Sequence, residues 1–430
     1  MSLNESTAAL SSLSEEQSSE WSKQDTVWML SLYGTAIGAG ALYLPIDAGI
    51  NGIWPLIIMS LLAFPMTYYS HRALCRFVLS GSSSHTDITD VVEEHFGAFL
   101  GKALTGLYFF AIYPFLLMYS VAITNTTESF IVNQLGFAAP HRALISILLI
   151  LGLMAIVRFG QDIIVKSMSV LVYPFVTILF LLSLYLIPSW NSAILHQDHV
   201  LQAQEGHSFL ITLWLIVPVL VFSFNHSPII SSFAVSQKKL YGNHADKKCA
   251  HIMKYGHLLM VLSVMFFVIS CVFSLSPHDL MLAKKQNISI LSYLANHFNT
   301  PIIAYVAPII AFIAISKSFL GHYLGAKEGL TGIIVKALKM KSKTIKKSTL
   351  QSIIELFMVL TCWMAAAINP NILKMIETMG GPIIAVLLFI MPMYAILKVP
   401  AMKKYSNQIS NVSITVTGFI AISAIIYGLM

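Results

Sequence analysis

Apolar runs of membrane-crossing length alternate with short polar segments along almost the whole chain. Between Thr26 and Ile46 there is no Lys, Arg, Asp or Glu, a run of 21 residues. At about 1.5 Å of helix rise per residue, that run crosses a hydrocarbon core of about 30 Å. The pattern predicts eleven spans, at roughly 26–47, 52–78, 103–131, 141–158, 166–187, 208–233, 251–275, 301–324, 349–368, 378–397 and 408–429. The stretch 86–101 is polar with Ile88, Val91, Val92, Phe96 and Phe99 at intervals, which predicts a short surface helix begun around Asp87. Residues 1–24 carry eight serines and four glutamates with no apolar run, and read as a disordered tail rather than a cleaved leader. The expected organisation is a tail at 1–24 and a transmembrane domain at 25–430, with spans 1–5 at 26–187, spans 6–10 at 208–397 and span 11 at 408–429.

Composition agrees: of 430 residues, 57% are hydrophobic and 10% charged, the signature of an all-α integral membrane protein. The net charge of +7 suggests nucleic acid or acidic lipid until its distribution is read. With the N-terminus inside, 21 of the 26 Lys and Arg fall in inner segments, 4 in outer segments, and Lys317 lies within a span. That asymmetry is the positive-inside signal, placing the N-terminus in the cytoplasm and the C-terminus outside. The seven lysines at 327–347 read first as a topology determinant and second as a contact for anionic lipid. Cys75, Cys249, Cys271 and Cys362 stand singly, with no metal or redox spacing.

Two spans are weakest at their centres. Span 1 contains Gly34, Thr35, Gly38 and Gly40 within "GTAIGAG", and span 6 contains Ser223, Asn225, His226, Ser227 and Pro228 within "VFSFNHSPII". Glycine is a poor helix former and proline removes a backbone donor. Five spans separate the two starts, so an inverted repeat places the breaks at equivalent positions, the sequence mark of a transporter's central site. A plainer reading stands beside it, in which Gly34 and Gly38 are a helix-packing pair, Pro228 a tolerated kink and His226 a structural histidine.

"YGTAIGAGALYLPIDAG", "VFSFNHSPIISSFAV", "IAISKSFLGHYLGAKEG" and "MIETMGGPIIA" resemble the bacterial hydroxy and aromatic amino acid permease family, from about residue 24 to the end. The likeness is nearest to the serine–proton symporter branch, with threonine–serine permeases next. The resemblance implies a 5+5 inverted-repeat fold of the leucine-transporter type with broken helices 1 and 6, and proton-coupled uptake of L-serine across the bacterial inner membrane, with no cofactor beyond the coupling proton. It further implies a substrate site of Thr35, Ala36, Gly38, Ala39 and Gly40 on one break and Ser223, Phe224, Asn225, His226 and Ser227 on the other. Backbone groups freed at a broken helix attract a carboxylate and an ammonium. The alternative within the family is a threonine/serine or aromatic amino acid permease.

Lys317 follows sixteen charge-free residues from Pro301. It either snorkels to the inner interface or holds its ammonium near Gly34 and Ile37, flanked by Ser316 and Ser318, where sodium-coupled relatives of this fold hold their ion. Tyr113 and Tyr119 are expected to face the site, Tyr119 and Glu377 as gates. Glu128, Asp47 and His322 are expected near span ends, and His196, His199 and His207 in a polar outer loop. No HExxH, GxSxG or P-loop occurs, which argues against an enzyme. A channel remains the other class, and saturable uphill uptake excludes it. No nucleic acid or obligate protein partner is implied.

Overall fold

The structure, a computed structural model, describes residues 20–196, 209–298, 300–342, 345–375 and 381–429, and all regular structure among them is helical. The order is α1 Lys23–Ala36, α2 Ala39–Ile50, α3 Ile53–Leu79, α4 Ile88–Ser129, α5 Arg142–Val157, α6 Gln161–Leu186, α7 Phe209–Ser223 and α8 Ser227–Tyr241. Then come α9 Ala245–Ser274, α10 Pro277–Gln286, α11 Ile290–His297, α12 Pro301–Met340, α13 Lys347–Ile368, α14 Gly381–Ala385, α15 Met391–Lys398 and α16 Ile409–Leu429. Among the described residues, six helical segments are long and apolar enough to cross a membrane, and the α1–α2 pair, bent by 50°, makes a seventh if taken as one span. Helix α5, helix α7, Ile383–Lys398 and Ile409–Ala424 are shorter apolar helices.

The surface is apolar and the interior partly polar. Leu144, Leu148 and Leu151 on α5, Phe180 and Leu184 on α6, and Ile353 and Leu356 on α13 are exposed, while Asn225, His226 and Lys317 are buried. That inversion is stable only with lipid outside, where polar groups must turn inward.

Helix α12 packs along α4 through glycines. A side chain at Gly325 would press on the Pro228 carbonyl and Ile112, at Gly329 on Phe109, and at Gly332 on Thr105 and Thr89. Small residues at this spacing let two helix backbones approach closely in lipid. The expected span at 301–324 is too short, since α12 continues to Met340. The lysine segment is therefore partly helix. Lys336 is buried and donates to the Thr89 carbonyl at 2.6 Å and Thr105 Oγ1 at 3.1 Å, and pairs with Glu93 at 2.8 Å. Charge ended the predicted span, but helix propensity and the glycine stripe carry the helix further. The expected surface helix is also present without a linker. Asp87 caps it as the first part of α4, which bends into its longer part at Gly97, whose φ of 79° suits glycine. Helices α10 and α11 were not expected, although the Ser276–Asp279 capping box that starts α10 is visible in the sequence.

Candidate functional site

Helix α1 stops where its glycines begin. The Ile37 amide still reaches the Tyr33 carbonyl at 3.0 Å, then the Gly38 amide turns to Ala36 at 3.1 Å. The freed carbonyls point at α12. Lys317 Nζ donates to the Ile37 carbonyl at 2.5 Å and Ser318 Oγ to the Gly34 carbonyl at 3.0 Å. The ammonium lies 4.0 Å from the Phe175 ring centroid and 5.6 Å from that of Tyr33. Aromatic faces stabilise a desolvated cation, and no carboxylate of the described residues appears among its contacts. The side chain of Lys317 thus runs inward to the break rather than outward to an interface. Ser316 Oγ is buried without a hydrogen-bond partner among the described residues.

The glycines at the break also pack closely. A Cβ at Gly38 would overlap the Ser318 side chain and meet Tyr119 Cε1 at 3.0 Å, and one at Gly40 would meet Phe222 Cε1 at 2.8 Å. A Cβ at Gly34 would meet Val172 Cγ2 at 3.2 Å. Gly38→Val is therefore expected to abolish transport while the protein still reaches the membrane, because backbone and α12 cannot keep their contact. Normal uptake by this variant, measured with labelled substrate, would show that the approach is dispensable. Thr35 turns away from the break: its hydroxyl returns to the Ser31 carbonyl at 2.9 Å, and it packs against Gly321. Ala36 is buried beside it.

Helices α7 and α8 are separated by Phe224, Asn225 and His226, all buried. Pro228 lies in the first turn of α8 and starts that helix rather than kinking a continuous one, since its missing donor is one the helix would not use. The Ser227 amide is capped by Asn225 Oδ1 at 3.1 Å. Ser223 Oγ donates to the Val219 carbonyl at 2.8 Å and to the Gly40 carbonyl at 3.3 Å, so the two breaks touch. Asn225 Nδ2 and His226 Nε2 are buried with no partner among the described residues. Such orphan groups are uncommon in folded proteins and mark where a ligand would complete the set.

Around the breaks the expected residues divide. Tyr119 is buried, with its ring 4.8 Å from that of His322. Tyr113 instead stacks on Phe109 at 4.8 Å and on Phe357 of α13 at 5.5 Å, so it does not face the site. His322 is buried rather than interfacial, its Nδ1 donating to Ser318 O at 2.9 Å, because α12 continues well beyond it. Glu128 pairs with Arg142 at 2.7 Å near the end of α4, and Asp47 lies in the last turn of α2. Glu377, His199 and His207 lie outside the described residues.

Two ties absent from the sequence reading close the ends of the bundle. Asn287, left-handed at φ 56°, accepts through its carbonyl from Tyr43 at 3.2 Å and Asn125 at 3.0 Å. Its side chain donates to Pro370 O at 3.1 Å and accepts from the Ile372 amide at 2.9 Å. At the lysine-rich end, the fully buried Asp25 pairs with Lys248 at 2.8 Å and accepts from Tyr241 at 2.8 Å and the Ser22 amide at 2.9 Å.

Residues 25–429 match the tryptophan/tyrosine permease family. The chain belongs to this family. Its relatives include proteins named serine transporter SdaC, 62% identical in Escherichia coli strain K12 over 99% of both chains, and 61% identical in Shigella flexneri. Solved structures are similar in fold. The permease aligns with MhsT in complex with L-phenylalanine at TM-score 0.57 and 15% identity, covering 95% of this chain and 98% of that one. A manganese transporter of Eremococcus coleocola aligns at 0.56 and 14% over 94% and 85%, and a sodium-coupled sialic acid symporter at 0.55 and 12% over 94% and 90%. The expected all-helical transporter fold of the leucine-transporter type is the one observed, and the chain is a multi-pass membrane transporter, not an enzyme.

Proposed function

We propose that this permease imports L-serine across the bacterial inner membrane by alternating access, coupled to protons. The observation that carries the reading is full-length identity of 62% to proteins named serine transporter, combined with a buried ammonium clasping the broken α1–α2 backbone. The backbone around the break, at Thr35, Ala36, Gly38, Ala39 and Gly40, receives the α-carboxylate and α-ammonium. The unpartnered Asn225 and His226 nitrogens face the α7–α8 side, where a small hydroxyl completes them. Lys317 supplies the titratable cation at the site where a sodium-coupled transporter would hold its ion, and Tyr119 closes over it. A threonine/serine preference is the second reading, favoured by the same polar pair.

Uptake of labelled serine into proteoliposomes with an imposed pH gradient tests this, with unlabelled serine, threonine and tryptophan competing. Uptake indifferent to the gradient removes proton coupling, and stronger competition by tryptophan removes the hydroxyl specificity. In the same assay Asn225→Ala and His226→Ala are expected to weaken serine binding roughly 5- to 150-fold, the cost of about 1–3 kcal/mol for a lost buried hydrogen bond. Unchanged affinity in both relocates hydroxyl recognition.

The proposed orientation has the N-terminus in the cytoplasm and the C-terminus in the periplasm. A cysteine introduced at Ser342 is then expected to resist impermeant labels applied to intact cells, and ready labelling from outside reverses the topology.

A further inference from the structure

Three imidazoles from distant parts of the chain converge behind the α7–α8 break. His71 comes from α3, His226 from the break and His257 from α9, and all are fully buried. Each directs Nδ1 at a backbone carbonyl: His71 at Thr67 at 2.7 Å, His226 at Phe224 at 3.0 Å and His257 at Met253 at 2.6 Å. A carbonyl only accepts, so each Nδ1 carries the hydrogen and each Nε2 presents a lone pair. One nitrogen of each lies within 4.8 Å of the others. His71 Nε2 accepts the His226 backbone amide at 3.2 Å, while Nε2 of His226 and of His257 have no partner among the described residues.

The rings of His71 and His226 stack at 3.7 Å with an interplanar angle of 7°. That stacking decides between the two ligands such a cluster could take. A metal ion binds in the plane of each imidazole, about 2.0–2.1 Å along its lone pair. Parallel rings place those lone pairs in separate planes, so one ion cannot serve both without unstacking them. A proton needs only one lone pair.

We propose that His71, His226 and His257 hold one proton in common, and that taking it up tightens binding of the amino acid. The inference rests on the reading of the chain as an amino acid–proton symporter and assigns a second titratable element, distinct from Lys317. The proton comes from water. A new N–H bond forms at Nε2 of His226 or His257, the two ring nitrogens left without a partner among the described residues. A second proton is opposed by the first across the stacked rings.

The surroundings favour coupling to an anion. Tyr68 of α3 lies 5.6 Å edge-on from His257, Arg72 sits 5.8 Å over the Tyr68 ring, and His322 of α12 adds to the field at His226. No carboxylate of the described residues is in contact with the trio. The missing negative charge is that of a substrate carboxylate at the adjoining α1–α2 break, since Ser223 already touches Gly40. Proton and amino acid then raise each other's affinity by the same factor. A proton that moves to His71 Nε2 turns that acceptor into a donor, and the His226 amide loses its partner. The first turn of α8 is then released from α3.

The test is serine exchange in liposomes without a pH gradient, in which the half-saturating concentration is followed against pH. The wild type is expected to tighten by up to about tenfold per pH unit on acidification, the limit for one linked proton. His71→Gln keeps an acceptor for the His226 amide but does not titrate, and His257→Gln removes the other free lone pair. Both should make the profile shallower while keeping gradient-driven accumulation, which Lys317 supports. A wild-type slope retained in both variants overturns the proposal and leaves proton coupling standing, whereas wild-type uptake indifferent to a gradient overturns the coupling itself. Nitrogen-15 spectra of histidine-labelled wild type give a check that needs no variant. One Nε2 signal must change from bare to protonated on acidification, and a set that never changes sinks the proposal. Inhibition of exchange by micromolar zinc, lost in both variants and accompanied by a flat wild-type profile, would assign the cluster to a metal instead.

Discussion

Lys317→Met is expected to lose concentrative uptake outright while serine exchange survives in part. The methionine keeps most of the lysine stem's volume between Phe175 and Tyr33 but leaves the Ile37 carbonyl without its donor. With a gradient of about one pH unit, one coupled proton sustains roughly tenfold accumulation, and the variant's accumulation ratio should fall toward unity. The substrate wall on the two breaks is untouched, so exchange separates lost coupling from lost binding. Lys317→Arg should not rescue, because guanidinium stays protonated and its planar fork does not replace a compact ammonium. Full accumulation by Lys317→Met would reduce the residue to a structural strut.

Lys248→Met is the second large effect, and it acts on stability and conformation together. The Asp25 carboxylate is fully buried at the start of α1, and Lys248 at the start of α9 is its paired cation. Removing one member of a buried pair costs about 3–5 kcal/mol, because the remaining charge loses its compensation. The hydroxyl of Tyr241 and the Ser22 amide remain as donors and hold the loss toward the lower end of that range. The expected result is a lower melting temperature in detergent and greater labelling of a cysteine placed at Trp28, as the end of α1 loosens. Asp25→Leu combined with Lys248→Met should recover much of the stability, since replacing a buried pair by apolar groups is often neutral. A double variant as unstable as the single would mean that the packing of the side chains, not their charge, holds the end closed.

What the sequence disclosed is what local pattern encodes. The α1 break is announced by Gly34, Gly38 and Gly40 within one apolar run, and the α7–α8 break by the polar cluster before Pro228. Lys317 stands out because it interrupts sixteen neutral residues. The errors arise where hydropathy was asked about direction or length. Tyr113 and Tyr119 are six residues apart on one helix, and a span that is apolar all round does not reveal which side faces the site. Helix α12 outlasts its apolar segment because Lys336 finds Glu93 and two oxygens on α4. His71 and His257 remained invisible because nothing along either of their spans ties them to the break. Only the packing of α3 and α9 against the break brings them to His226. Asn287 could have been read only as a left-handed helix cap, not as the point where four segments meet.

The unbroken length of α12 has a mechanical consequence. Lys317 and Lys336 are nineteen residues apart on one rigid rod, or about 28 Å at 1.5 Å per residue. One grips the broken backbone at the centre of the molecule, the other is fastened to Glu93 in the first part of α4, before its bend at Gly97. A tilt of about 5° with Lys317 as fulcrum sweeps the far grip through roughly 2.5 Å over that length, enough to break a salt bridge. The helix is therefore a lever. A displacement too small to notice at the pivot reaches the lysine-rich face amplified, and the hinge available to absorb it there is Gly97.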